Sequence, residues 1–358
     1  MSTSMSTSYP RPGAASSKSD ASIVPPPPSI VSESPSPPVV DSYVMGDTTH
    51  FGYEDVSTAE KENRVREVFA NVADNYDVMN DLMSGGLHRY WKDELLRMTG
   101  VRSLAGALRR RDHAPVLATT TTWNDEDDGG RVGKDGGGGG GGGVPPDDGK
   151  PLLSILDVAG GTGDVAFRFV DAANCIERAK SSGPDEVNVT VCDINPDMLR
   201  VGEARARARY GSDLLDDARS LKFVEGNAQN LPFDECTFDI YTIAFGLRNV
   251  TDVDAALRDA MRVLKPGGRY LCLEFSRVSS DIPLLGRMYD AYSFHVIPKL
   301  GEVVANDRAS YKYLVESIRK FCPQDELSRR MEAAGFVNVG YTNMTGGIVA
   351  VHEGWKPL

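Results

Sequence analysis

LLSILDVAGGTGDVAF, residues 152–167, joins an apolar run to a helix-forming run through three glycines. A strand that is apolar on both faces must be covered on both, and helix-covered parallel sheets meet that requirement. The same arrangement then repeats. VNVTVCDI (187–194) reads as a second buried strand, and NPDMLRVGEARARARY (195–210) as a helix opened by an Asn cap with Pro in its first turn. LKFVEG (221–226), FDIYTIAFG (238–246) and GRYLCLEFS (268–276) are three further apolar strands, and TDVDAALRDAMRVLKPGG (251–268) is a helix stopped by Pro-Gly-Gly. The alternation predicts a doubly wound α/β fold with a mostly parallel sheet. Two more helices follow at 310–321 and 322–336. VNVGYTNMTGGIVAVHEGW (337–355) reads as a hairpin added to one edge of that sheet.

Large parts of the 358 residues cannot contribute to such a core. Residues 1–47 are rich in Ser, Thr and Pro, with PPPP at 25–28, and bury too little apolar surface to offset chain entropy. They read as a weakly basic targeting extension. Residues 105–150 contain TTTT, the acidic NDEDD and a glycine run from Gly136 to Gly143, which predicts a flexible insert. Roughly 265 residues remain, divided into an N-terminal helical segment at 48–104 and an α/β domain at 151–358.

Composition excludes several functions. A net charge of -12 argues against nucleic-acid binding, which needs a basic surface, and RARAR at 205–209 reads as a solvated helix face. No apolar run approaches the ~20 residues of a spanning helix. Five cysteines lie far apart without CxxC spacing, so neither disulfides nor a metal site is expected.

Ligands of open α/β sheets bind at the carboxyl ends of the strands. Gly161 and Gly163 would let backbone approach a ligand closely, and with Ala166 they also satisfy the dinucleotide pattern G-x-G-x-x-A. Asp193, ending the second strand, can accept two ribose hydroxyls from either ligand, and Asn227 with Ala228, after the third, can read an adenine edge. Asp157 adds a carboxylate beside the glycines. It would repel a pyrophosphate but attract the sulfonium and amino group of S-adenosylmethionine, which favours that ligand over NAD.

YDVMNDLMSGGLHRYW (76–91) and RVLKPGGRYLCLEFS (262–276) resemble the two signature segments of the UbiE family of quinol C-methyltransferases. LDVAGGTGD, FGLRNVTD, DAYSFHVIP, YLVESIR and GGIVAVHEG are also similar to that family, as is THFGYEDV at 49–56. The resemblance implies a class I methyltransferase sheet of seven strands with one antiparallel, and methylation of a ring carbon on a polyprenylated benzoquinol or naphthoquinol. It implies S-adenosylmethionine as co-substrate, held by Thr162, Asp193, Asn227 and Ala228. Ala244 departs from bacterial members that carry Ser there, so a hydroxyl contact is lost. Its eukaryotic ubiquinone branch implies peripheral attachment to the matrix side of the mitochondrial inner membrane, within a multi-subunit biosynthetic complex or as a homodimer. A plastid location is the alternative.

On this reading Arg248 stabilises a developing phenolate, Asn249 orients the hydroxyl, and Tyr76 helps hold a relaying water, with His295 as another proton acceptor. The plainer reading pairs Arg248 with Asp252 or Asp254 at the surface and makes His295 and His88 structural. Met79, Leu82, Met83, Leu87, Tyr90 and Trp91 fall at helical spacing and predict one apolar face, resisted by Gly85-Gly86 and by two flexible methionines that suit a ligand lining. Tyr76, Met79 and Met83 would line the quinol entrance, with residues 291–300 as the opposite wall. A non-catalytic scaffold with the same fold is the rival outside enzymology.

Overall fold

The computed structural model describes residues 48–72, 80–81, 83–101, 153–178, 187–212, 215, 221–278, 282–305 and 307–358. Tyr76, Met79, Leu82, the 1–47 extension and the 105–150 insert lie outside the described residues. Seven strands form one sheet: β3 (Leu153–Val158), β4 (Val187–Asp193), β5 (Leu221–Glu225), β6 (Phe238–Ala244), β7 (Leu264–Phe275), β8 (Val337–Met344) and β9 (Val349–Trp355). Their spatial order is β5-β4-β3-β6-β7-β9-β8. The first five pair in parallel, while β9 runs antiparallel to both β7 and β8, as the sequence predicts for an added hairpin. Ile155, Val189, Val191, Ile240, Leu271 and Val351 are buried in the middle of the sheet, which explains the unbroken apolar runs.

α3 (Asp164–Arg178), α4 (Pro196–Tyr210), α5 (Val253–Val263) and α9 (Gln324–Ala333) pack on the sheet. Asn195 caps α4 through Oδ1, which accepts from Asp197 N at 3.0 Å. Asp252 caps α5, accepting from Ala255 N at 2.9 Å. α5 ends earlier than predicted, at Val263, because Pro266 cannot continue a helix. The segment from Leu264 onward is already strand, and the register of β7 against β6 shifts between Phe238 and Ile240, where Gly267 sits at φ 76°.

A second group of elements lies N-terminal to the sheet or between β7 and β8. It comprises a two-stranded hairpin, β1 (Thr48–Phe51) and β2 (Glu54–Ser57), then α1 (Thr58–Val72), α2 (Leu87–Thr99), α6 (Pro283–His295), α7 (Ile297–Ala305) and α8 (Arg308–Lys320). The hairpin was not foreseen from the sequence. It is fixed to α8 by Phe51 stacking on Tyr313, with centroids 3.9 Å apart, and by Tyr53 N donating to Glu316 Oε2 at 3.3 Å. All of these elements and the sheet belong to one compact unit, Asp47–Leu358.

Among the described residues the apolar face predicted for 79–91 is interrupted at Gly85-Gly86. Gly85 and Gly86 both adopt positive φ, 58° and 81°, and α2 starts only at Leu87. Within α2 itself Trp91 is buried while Leu87 and Tyr90 are exposed. Trp91 Nε1 donates to Thr345 Oγ1 at 2.8 Å and ties α2 to the turn between β8 and β9.

Candidate functional site

The strand order reverses between β3 and β6, and a cavity opens there at the carboxyl ends of the strands, where ligands of such sheets bind. Four loops build its floor: 157–162 after β3, 193–195 after β4, 226–229 after β5 and 244–246 after β6. Gly161 and Gly163 have φ values of 53° and 84°, which delays the start of α3 to Asp164 and leaves Gly161 with Asp193 at the mouth of the loop. Ala159 and Phe245 also take positive φ, 51° and 57°, an uncommon conformation for residues with a Cβ and one that collects at binding sites.

Asp193 accepts from Gly161 N through Oδ2 and from Asn195 N through Oδ1, both at 2.9 Å. Burial pushes its carboxyl up to about 6 despite these two N–H donors. Asp157 is the more unusual acid. Its Oδ1 accepts from Thr242 Oγ1 at 2.8 Å, whereas Oδ2 is buried with no hydrogen-bond partner among the described residues. Burial raises this carboxyl to about 7, against the Thr242 hydrogen bond and the nearby charge of Lys92. A Cβ on Gly160 would lie 2.9 Å from Asp157 Oδ2, so a glycine is required there. Asp157 lines the cavity with one carboxylate oxygen unsatisfied behind Gly160, and a buried acid at that position suits a cationic ligand, a need that the sulfonium and amino group of S-adenosylmethionine meet.

Asn227 Nδ2 donates to Glu62 Oε1 at 3.1 Å, and its Oδ1 accepts from Gln229 N at 3.0 Å. Gln229 in turn accepts from Thr251 Oγ1 and Asp252 N, each at 2.8 Å. Thr162 and Ala228 are buried and line the same space, and Gly163 lies behind the loop against Phe167 and Phe223. Ala244 lines it without a hydroxyl, as the sequence implied.

Sequence reading missed the roof. α1 lays Glu62, Val65, Arg66 and Phe69 over this cavity, and Arg66 O accepts from Asn195 Nδ2 at 3.1 Å. Lys61, buried on the same helix, donates to Val250 O at 3.0 Å, and burial lowers it to about 8. The spacing of a buried Lys beside an exposed-looking Glu gave no signal for this, because α1 is on average polar.

A second, more apolar cavity adjoins the first and shares Phe69, Lys92 and Phe245 with it. Met83, Trp91, Phe275, Tyr289, Ile297 and Tyr311 are among its walls. Arg248 lines it, buried at 5% exposure. Its partner is neither Asp252 nor Asp254 but Glu274 of β7, with Nη1 donating to Oε1 at 3.0 Å. Nη1 also donates to Phe245 O, and the guanidinium lies 5.4 Å above the Phe275 ring. Nε is buried without a partner among the described residues, so the group retains an N–H donor. Glu274, at 1% exposure, is raised by burial and drawn back by Arg248.

Asn249 faces the first cavity rather than the second, and its Oδ1 accepts from Tyr313 OH at 3.0 Å. His295 is exposed at the end of α6 and lines neither cavity, so the structure does not bring it to the site. His88 is buried, 3.0 Å from Ser84 Oγ through Nδ1, and lowered by burial, in keeping with a structural histidine. Of residues 291–300, Ile297 reaches the second cavity whereas Phe294 and Val296 are exposed.

Residues 57–110 and 146–356 match the model of the ubiE/COQ5 methyltransferase family. The chain belongs to that family. It is a methyltransferase that uses S-adenosylmethionine as its methyl donor. The methyltransferase is 43% identical over 335 residues to the mitochondrial 2-methoxy-6-polyprenyl-1,4-benzoquinol methylase of Gallus gallus, covering 87% of this chain and 90% of the relative. It is 47% identical over 311 residues to the ubiquinone/menaquinone biosynthesis C-methyltransferase UbiE of Rhodopseudomonas palustris, covering 87% of this chain and 98% of the relative. The mitochondrial methylase of Arabidopsis thaliana is 44% identical over 313 residues, with 86% and 90% covered.

Proposed function

We propose that this methyltransferase methylates a ring carbon of a polyprenylated benzoquinol, 2-methoxy-6-polyprenyl-1,4-benzoquinol, in ubiquinone biosynthesis. The observation that carries the reading is the junction of two unlike cavities at Phe69, Lys92 and Phe245, one polar and acid-lined, the other apolar with one buried guanidinium. The donor supplies an electrophilic methyl group when bound. Asp193 holds its ribose, Asn227 and Ala228 its adenine, Thr162 and the Gly161 backbone its middle, and Asp157 Oδ2 its positive charge.

A quinol carbon becomes a good nucleophile when a neighbouring hydroxyl ionises. With a phenol pKa of ~10, about one part in a thousand is ionised at neutral pH, and removing that deficit needs ~4 kcal/mol. Arg248 supplies it by donating to the developing phenolate from a water-poor wall. Glu274 already neutralises part of its charge, so the contribution comes from a fixed, directed N–H rather than from free positive charge. Asn249 closes the donor side of the junction beside Tyr313. Met83 lines the acceptor cavity; Tyr76 and Met79, which lie outside the described residues, are assigned to its entrance by the family resemblance alone, and the released proton leaves through a water.

Two relatives carry mitochondrial in their names, which supports a mitochondrial location, and our reading places the protein peripherally on the matrix side of the inner membrane. Leu284, Met288 and Val303 stand exposed on α6 and α7, the helices whose Tyr289 and Ile297 line the acceptor cavity. These exposed apolar side chains support contact with a bilayer or with subunits of a biosynthetic complex, a second copy included. Among the described residues no helix is long and apolar enough to cross a membrane. The test supplies the full chain with methyl-labelled donor and reduced benzoquinol or naphthoquinol acceptors and locates the label. Label on a ring carbon of the benzoquinol is expected. Transfer to oxygen, exclusive transfer to the naphthoquinol, or no transfer would overturn the assignment.

A further inference from the structure

The donor site just proposed leaves one part of its ligand without a partner. Asn227 and Ala228 take the adenine and Asp193 the ribose, so the amino-acid end lies where the two cavities meet, since the methyl must face the acceptor. That end is crowded with acids: Asp157 and Asp164 both line it. A carboxylate arriving there would be repelled unless a cation waits for it.

Lys92 is the charged residue among the three shared by both cavities. The residue is 5% exposed overall, and lysines are almost never buried without a partner. Nζ donates to Asp164 Oδ2 at 2.7 Å. Asp164 is itself divided, because its Oδ1 accepts from Arg168 Nη1. An ammonium carries three donors, and among the described residues Lys92 spends one. Asp164 also begins α3, a helix of 15 residues whose first N–H groups and dipole favour negative charge at that spot.

Resting on the donor reading above, we propose that Lys92 receives the carboxylate of the donor's amino-acid headgroup, opposite Asp157, which receives its ammonium. Asp164 is then a positioning residue that keeps the lysine extended toward the loop. The pairing explains why a buried lysine stands in the wall between a polar and an apolar cavity: its charge is completed by the ligand.

Calorimetric titration of the full chain with two ligands separates this role from a structural one. S-adenosylhomocysteine carries the headgroup, while 5′-deoxy-5′-methylthioadenosine keeps the adenosine and lacks it. Lys92→Gln should weaken the first by about tenfold or more, the range for hydrogen bonds between charged groups, and leave the second within about twofold. Lys92→Arg should restore much of the lost affinity. Equal weakening of both ligands would show a structural role and overturn the proposal, as would unchanged affinity for both with only turnover reduced, which would assign the ammonium to the acceptor. Wild-type protein that binds neither ligand would sink the donor site itself.

Discussion

The donor cavity takes its floor from short loops at the ends of β3, β4, β5 and β6, each ending a strand that the sequence displays plainly. The acceptor cavity is lined by α1, α2, α6, α7 and α8, with Phe245, Arg248, Phe275 and Ile348 as the contribution from the sheet side. The floor of the first is therefore built from short strand-end loops and is the more polar, whereas the second is assembled mainly from separate helices and is the more apolar. On the proposed reading, recognition of the donor rests on the conformation of the glycine loop, whereas recognition of the acceptor rests on helices, of which α2 is anchored to the sheet through Trp91.

The largest expected effect breaks the acceptor side alone. Replacing Arg248 with Ala would leave Glu274 charged and buried without its ionic partner, which costs about 3–5 kcal/mol and confuses activity with folding. Arg248→Lys avoids this, because an ammonium can still pair with Glu274 but loses the planar fork and its spare N–H. We expect kcat to fall by about 10²–10³-fold, with donor affinity unchanged by calorimetry and the melting temperature within a few degrees. A variant with wild-type kcat would return Arg248 to a purely structural ion pair.

The next effect breaks the donor side. Asp193→Asn places an amide where two backbone N–H groups already point, and it removes the charged acceptor for ribose. Donor affinity should drop by about 10- to 100-fold, from charged hydrogen bonds worth about 1.5–3 kcal/mol. Quinol KM at saturating donor should change little. An equal rise in both constants would show that the cavities are not separable.

Glu274→Gln tests the coupling between them at smaller amplitude. The amide keeps the volume and can still accept from Arg248, but it leaves the guanidinium uncompensated. We expect a change of about tenfold in kcat with quinol KM nearly constant, and a pH–rate profile displaced from that of the wild type. A simple loss of stability with an unmoved profile would make Glu274 a packing partner only.

How much of this was legible follows from the same contrast. Asp193, Gly161 and Asn227 were readable because strand, turn and ligand group lie within a few residues of one another. Arg248 was readable as a residue but not as a pair: Glu274 lies on the neighbouring strand, and only the parallel register of β6 with β7 brings the two together. The signal existed, since a lone Glu inside the apolar run RYLCLEF is a buried charge in need of a partner. Lys92 offered a similar hint beside Trp91 in the helical pattern. Glu62 and the roof formed by α1 offered none, because a polar helix reads as solvated until the docking surface is known. His295 shows the opposite error, a chemically suitable side chain in a matching segment that points to solvent.

The smallest effect concerns protons, and it separates the two acids of the donor cavity. Asp157 is raised to about 7 by burial and Asp193 to about 6. A raised carboxyl favours the protonated folded state, so in the ligand-free protein the stability that Asp157 contributes is present below its unfolded value near 4 and is lost as pH rises through 7. A cationic donor reverses this preference. It binds best to the carboxylate, so its affinity should climb as pH rises from 6 to 7, by less than tenfold, and level off above. Titrations near pH 6.5 in buffers of different ionisation enthalpy should register release of a fraction of a proton per donor bound. In Asp157→Asn that release and the slope between pH 6 and 7 should shrink to the residue left by Asp193, while the contact with adenine and ribose persists. If the slope survives intact in Asp157→Asn, Oδ2 does not meet the ligand's positive charge, and the polarity of the donor cavity serves only to hold the glycine loop.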